Sequence, residues 1–449
     1  MESKEVRAIL EGPITKTLIV LAFPTSWGLA LLTIVGALDV YYLSMVGPDA
    51  LGAVGFVLPW IMIFINISMG LTNGFSVLVA ELLGMKQSVQ AKMLLVRTIL
   101  LMLCINILVV VAGLIFGEFI FSKMGATGHV LELSLQFWHV SLYGIPLAGI
   151  LFIFNALLRA VGESFVAGAV LSISALTIWL FDYLLVLGNA GFPALGVRGA
   201  AFATVAGWFA ANIVAGTFLI RHSYFLIPKG SFHLRSTIRA WKRLLEYGMP
   251  SVLSQMMLPI SSALVIGIIG AYGTLAVAAY TISSQIASVL MIVGLGISIV
   301  LRLFISMNFG AGNFNRVRTA LRSAMQITLT WGVVCWLGLM ISGDFCVGLL
   351  SNDKDLLPIA RTALQTGAAG MTGRIATVMA SAALTSLHKP LEGALMPLLS
   401  AFLLTVPSAF LGSKLGGLSG VFYGLMFAGL LGLPISHLWV KVRSERALR

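Results

Sequence analysis

Charge is scarce in this chain. Only 10% of its 449 residues are Asp, Glu, Lys or Arg, against about 25% in an average soluble protein. Apolar residues make up 59%, and the mean hydropathy is +1.01. A soluble globule cannot bury that much apolar surface, so a polytopic membrane protein is expected. Cysteine is scarcer still. Cys104, Cys335 and Cys346 lie far apart. They match no metal-ligand spacing, and their odd number excludes a closed disulfide framework. No His-Glu-x-x-His, Gly-x-Ser-x-Gly or Walker A pattern occurs, and none of the six histidines is followed by Glu. An enzyme is therefore not expected, nor a cofactor or bound metal.

The charge that is present is unevenly placed. Apolar runs near 14–46, 50–82, 95–117, 133–156, 165–188, 198–220, 244–271, 275–308, 322–342, 357–385, 392–412 and 417–440 give twelve candidate spans. The first run is too long for a signal-peptide core and reads as a retained span. With both termini placed in the cytoplasm, 21 of the 28 Lys and Arg fall in cytoplasmic segments and 5 outside. The other two, Arg302 and Arg374, lie within spans. That asymmetry supports twelve spans across a cell membrane with both ends in the cytoplasm. It also accounts for the net charge of +12 without a nucleic-acid partner.

The chain repeats itself. At an offset of 226, Pro24 meets Pro250, Gly47 meets Gly273, Ala50 meets Ala276 and Gly84 meets Gly310. Gly199, Ala203, Gly207 and Ala211 recur as Gly420, Gly424, Ala428 and Gly432. Such small-residue stripes let membrane helices approach closely. The expected architecture is all-α: two parallel six-helix lobes, 1–222 and 244–449, joined by a basic cytoplasmic linker over 223–243. Parallel repeats are a transporter architecture.

Two acids lie deep in spans, Asp39 and Asp182, both in the first lobe; in the second, Val265 stands opposite Asp39 and Pro407 is read as standing opposite Asp182. Intramembrane acids face the protein interior or a watery cavity and are functional by default. Two interacting acids titrate as a unit. A cation bound beside them favours the ionised form and expels a proton, which is the least that an antiporter requires. Weaker candidates for binding substrate are Asn155, by its amide, and Phe137 and Trp138, by stacking on planar cations. Gln255 offers a polar group in the second lobe. Arg374, in the middle of the tenth span, could reach the acids, bind carbonyls or stack on a ring.

Several stretches resemble the multidrug and toxic compound extrusion (MATE) transporters. They are Met45–Gly55, Asn155–Glu163, Gly199–Thr204, Gly248–Gln255 and Phe309–Asn313, in family order and at the corresponding spans. The resemblance covers nearly the whole chain. It is closest to the prokaryotic branch whose cation site lies in the N-terminal half, with Asp39, Asp182 and Thr204 at its positions. It implies monomeric export of small-molecule organic cations and drugs across the lipid bilayer, coupled to protons or sodium. Where that branch often has Asn, one turn before the second acid, this chain has Ile178. Hard cations want several oxygen ligands, so a proton is the expected coupling ion, with sodium the alternative. The rival readings are a lipid-linked precursor flippase of the same superfamily, a channel and a membrane-embedded enzyme.

The topology carries a test. A single cysteine placed at Ser236 should resist an impermeant thiol reagent in sealed, right-side-out cells, and ready labelling there would overturn the inference of parallel halves.

Overall fold

The computed structural model describes residues 4–222, 224, 233–348 and 355–447. These residues are helical apart from short turns, with no strand among them. A short α1 (Lys4–Glu11) precedes α2 (Ile14–Val46), α3 (Pro48–Gly84), α4 (Ser88–Lys123), α5 (Gly128–Ala160), α6 (Ser164–Leu185) and α7 (Val197–Arg221). The second half holds α8 (Leu234–Gly270), α9 (Thr274–Gly310), α10 (Phe314–Gly348), α11 (Leu356–Ser386), α12 (Pro390–Leu399) and α13 (Val406–Ala447). Of the linker expected over 223–243, residues 223 and 225–232 lie outside the described residues, and α8 already begins at Leu234.

Continuous helix is what the solvent demands, because hydrocarbon offers backbone groups no hydrogen-bond partner. Twelve passes result, as the hydropathy pattern predicts. Ten segments are long and apolar enough to span by composition alone. One of them, Pro390–Ser444, holds two passes: the backbone leaves helical geometry at Gly416 and Gly417, and a Cβ at Gly412 would overlap the Gly420 carbonyl. The remaining pass is α11, which is less apolar because protein covers it. It packs on α9, α10, α12 and α13, and it buries small residues such as Ala368, Gly370, Thr372, Gly373 and Ala376.

The internal repeat is written in the backbone as well. Helices α3 and α9 are both 37 residues long. Left-handed residues recur at the same offset of 226: Gly47 with Gly273, Lys86 with Gly312, Gly162 with His388 and Gly191 with Gly417. At the second and third pairs only one repeat uses glycine, so letter-by-letter comparison misses them. The turn tolerates a side chain there at a modest conformational cost.

Two compact units are present. The first comprises Met1–Arg7 and Pro24–Val252, the second Ala8–Phe23 and Leu253–Arg449. Compared with lobes of 1–222 and 244–449, each unit takes in the opening part of the other half's first helix. Side chains explain the exchange. In the second unit, the Ile9 carbonyl accepts from Asn308 at 3.1 Å and Arg316 at 3.0 Å, and the Gly12 carbonyl accepts from Arg316 at 2.7 Å. In the first unit, Arg97 donates to Ser236 at 2.9 Å, Trp241 donates to the Arg97 carbonyl at 2.9 Å, and Arg243 lies 3.4 Å from the buried Glu81 carboxylate. The changeover falls between Phe23 and Pro24 in α2 and between Val252 and Leu253 in α8, beside the repeat-related Pro24 and Pro250.

The start of α1 is held within the first unit: Glu5 accepts a 2.9 Å hydrogen bond from the amide of Ser164, the first residue of α6. The neighbouring Glu163 lies in the connection before α6. Its carboxyl is pushed up, first by burial and then by Glu5, against an opposing pull from His222. The fold therefore disfavours its charged form, and that penalty is present only above the ordinary glutamate range. Glu163→Gln should melt somewhat above wild type near about pH 7 and show no advantage near about pH 4, where both side chains are neutral. Thermal scans at the two pH values check this, and an equal gain at both would assign the effect to something other than charge.

Candidate functional site

Asp39 and Asp182 come together through a helix pair in strict register. Helices α2 and α6 touch at Pro24 and Gly168, where a Cβ on residue 168 would overlap the Pro24 carbonyl oxygen. At the next turn, a Cβ on Gly28 would stand 2.8 Å from Leu171 Cβ. Further along, Val35, Ala175 and Ile178 share one buried cluster, with Leu31 and Leu32 packed on it. Positions 28 and 171, 35 and 178, and 39 and 182 are each 143 apart. Contacts that advance equally along both helices mean that the helices run parallel. The acids each lie four residues, about one turn, beyond the Val35–Ile178 level. Their carboxyls interact electrostatically.

The third wall is α7, antiparallel to α6. A Cβ on Gly199 would stand 2.5 Å from the Leu185 carbonyl, and one on Gly207 would overlap Ile178. Ala203, between them, is fully buried, and Thr204 beside it is half-buried. Asp182 is itself fully buried, and among the described residues neither of its carboxyl oxygens has a hydrogen-bond partner. One oxygen of the half-buried Asp39 is in the same condition. Thr204 thus makes no hydrogen bond to Asp182. A buried carboxylate without partners costs several kcal/mol or more, so this place calls for a proton or a cation.

The other candidate residues have contacts of their own. Asn155 is occupied: its Nδ2 donates to the Ala167 carbonyl at 2.8 Å and its Oδ1 accepts from Arg159, which ties α5 to α6. Phe137 and Trp138 are core residues, 4% and 1% exposed. Trp138 donates to the Gly113 carbonyl at 2.9 Å and meets Phe121 edge-on at 5.3 Å between centroids. In the second unit, Gln255 is half-buried, and Arg374 donates to the Gly367 carbonyl at 3.1 Å with Tyr280 within electrostatic reach. Carbonyl binding, one of the options open to Arg374, is thus present within the second unit. Val265, equivalent to Asp39, is a core residue packed with Ile269 and Ala276. Sequence reasoning did not find Val35 and Gly168, whose apolar shape or small size sets the register, and it found Gly207 only as part of a packing stripe. A glycine facing a carbonyl has no signature of its own in one sequence.

The MatE family model matches residues 24–184 and again 250–411, the same duplication at the same offset. The chain belongs to the MatE family. It is 28% identical to a protein named FAD transporter from Shewanella oneidensis, across 97% of this chain and 94% of that one. It is 23% identical to the multidrug export protein MepA of Staphylococcus aureus (strain MSSA476), across 99% and 98% of the two chains. Among solved structures, the Vibrio cholerae MATE transporter VcmN in its bent form superposes with a TM-score of 0.90 at 19% identity, over 99% of each chain. As a MatE member, the protein is a multi-pass membrane protein of a transporter family.

The register predicts its own failure. Gly168→Leu should destabilise the protein by at least about 1–3 kcal/mol, because the clash is with backbone and overpacking is not relieved cheaply. Gly36→Ala, in the facing helix α2 with nothing within 4 Å of the new Cβ, should fold like wild type. Thermal unfolding of the purified variants checks this. Equal stability of both would show that the close approach does not set the helix pair.

Proposed function

We propose that this MatE protein is an efflux antiporter. In this reading it exports small-molecule organic cations by alternating access, as a monomer in the cell membrane with both termini cytoplasmic. The observation that carries the reading is Asp182, fully buried without a hydrogen-bond partner and in register with Asp39. A proton on the pair satisfies it in one state and a cationic substrate favours the ionised pair in the other, so loading one expels the other. The coupling ion in this reading is a proton. Ile178 supports that choice: it fills the turn beside Asp182 with an alkyl group packed on Gly207, where a sodium ion would want oxygen. Thr204 is the nearest further oxygen on α7 by sequence position and serves as an accessory to the pair.

A second reading concerns the cargo. Arg374 places a fixed cation in the middle of α11, beside Tyr280. A guanidinium there recognises phosphate, and the relative from Shewanella oneidensis is named for a flavin dinucleotide. Export of a phosphate-bearing aromatic is therefore a distinct substrate class for the same antiport cycle.

Reconstituted proteoliposomes separate these readings. Efflux of a cationic dye and of flavin adenine dinucleotide is followed under an imposed pH gradient and then under a sodium gradient. The pH gradient should drive transport with little help from sodium. Asp39→Asn and Asp182→Asn should each insert and fold yet lose gradient-driven efflux, and the double variant should be little worse than either, because groups acting as a unit are strongly non-additive. Undiminished proton release on dye binding from both single variants would remove the pair from the mechanism. Full efflux on sodium alone would overturn the choice of ion.

A further inference from the structure

A pocket of about 440 Å³ lies wholly within the second unit, between α9, α10, α11 and α13. Its wall is divided by polarity. Leu301, Leu321, Met325 and Met379 form an apolar floor, closed by Ala380 and Ala383. Arg318, Arg322, His437 and Lys441 stand at the rim, and no acid lines it. Among the described residues, no carboxylate pairs with Arg322, His437 or Lys441. The neighbouring Arg443 is different: it is matched by Glu392 at 3.3 Å.

The division follows the helix axes. Arg318 and Arg322 sit in the first turns of α10, and Met325 lies about one turn deeper. Lys441 lies near the end of α13, and His437 about one turn further in. The charged mouth is therefore at the helix ends that the Lys and Arg asymmetry assigns to the cytoplasm, and the floor points into hydrocarbon. Outside the pocket, α13 exposes Leu438 at 59% and Val442 at 51%.

We propose that this pocket is a binding site for an anionic phospholipid of the cytoplasmic leaflet. Arg322 and Lys441 take the phosphate, by charge and by donor geometry. The glycerol backbone and the first acyl carbons occupy the methionine-lined floor, and the tails continue along Leu438 and Val442. A soluble anion has no use for the floor, and an apolar drug has none for the rim. A zwitterionic lipid presents a choline cation to a mouth where Arg322 and Lys441 already stand without a carboxylate partner among the described residues. The site shares no residue with the acid pair and does not depend on the transport reading.

Native mass spectrometry of the purified wild-type protein tests this, with dioleoylphosphatidylglycerol, dioleoylphosphatidylcholine and glycerol 3-phosphate at matched concentrations. Phosphatidylglycerol should be retained at least about tenfold better than phosphatidylcholine, a preference worth about 1.4 kcal/mol. Glycerol 3-phosphate should neither bind nor displace it. The double variant Arg322→Gln/Lys441→Gln should lose the preference. Met325→Trp, which fills the floor and leaves the charges in place, should lose phosphatidylglycerol too. Equal retention of the two lipids by wild type overturns the proposal, as does displacement by glycerol 3-phosphate or an unchanged preference in both variants. The wild-type comparison decides the matter even if a variant fails to fold.

Discussion

A carboxyl group surrounded by hydrocarbon is the constraint around which the first unit is arranged. Asp182 has no exposed surface and no hydrogen-bond partner, so ionising it alone is opposed by the whole cost of desolvation. The surrounding helices determine when that cost is met. Gly28 and Gly168 allow α2 and α6 to approach at backbone distance, and Gly207 lets α7 close over Ile178. Each of these small residues removes a degree of freedom from the acid pair. Were α2 to slide by one residue, Asp39 would turn by roughly 100° about its helix and leave Asp182 alone. The glycines thus act on the chemistry without touching it, which is how packing in lipid, where small residues set the distance, comes to govern ionisation.

Duplication explains the frame and also the asymmetry within it. The left-handed turns recur at the 226 offset whether or not glycine occupies them, so backbone geometry has outlasted residue identity. At the places 226 residues on from the acids, the second unit has Val265 in its core and Ser408, the residue after Pro407, just past a π-helical turn over Ser400–Thr405. In that turn Thr405 donates to the Ser400 carbonyl at 3.0 Å. Proline cannot donate to the helix ladder, and a wide turn before it spreads the resulting mismatch over several residues. The same scaffold therefore supports an ionisable pair in one copy and an irregular, uncharged helix in the other.

Much of this was legible in the sequence, and the parts that were not share a physical cause. Twelve passes, the parallel repeat and the two deep acids follow from hydropathy and from the cost of charge in a membrane, because those terms are large. Asn155, Phe137 and Trp138 were legible as chemistry and not as position. A helix inside a bilayer is apolar on every side, so its periodicity does not distinguish the face that meets lipid from the face that meets protein. Only coordinates show Asn155 tied to Ala167 and Trp138 donating to Gly113. The exchange of opening segments between units was hidden for another reason. In the second unit it rests on side chains that donate to the backbone carbonyls of Ile9 and Gly12, and carbonyls leave no trace in residue identity.

Arg374 shows how a buried charge narrows what a transporter of this design can carry. Its guanidinium has five donors, and the Gly367 carbonyl takes one of them. Tyr280 adds a ring and a hydroxyl nearby. The first unit therefore carries a pair of acids suited to a proton or a cation, and the second a fixed cation suited to an acceptor oxygen. A pathway selective for cations alone gains nothing from a permanent positive charge in the middle of α11. On the second reading proposed above, the acidic part of a cargo would give this fixed cation its partner.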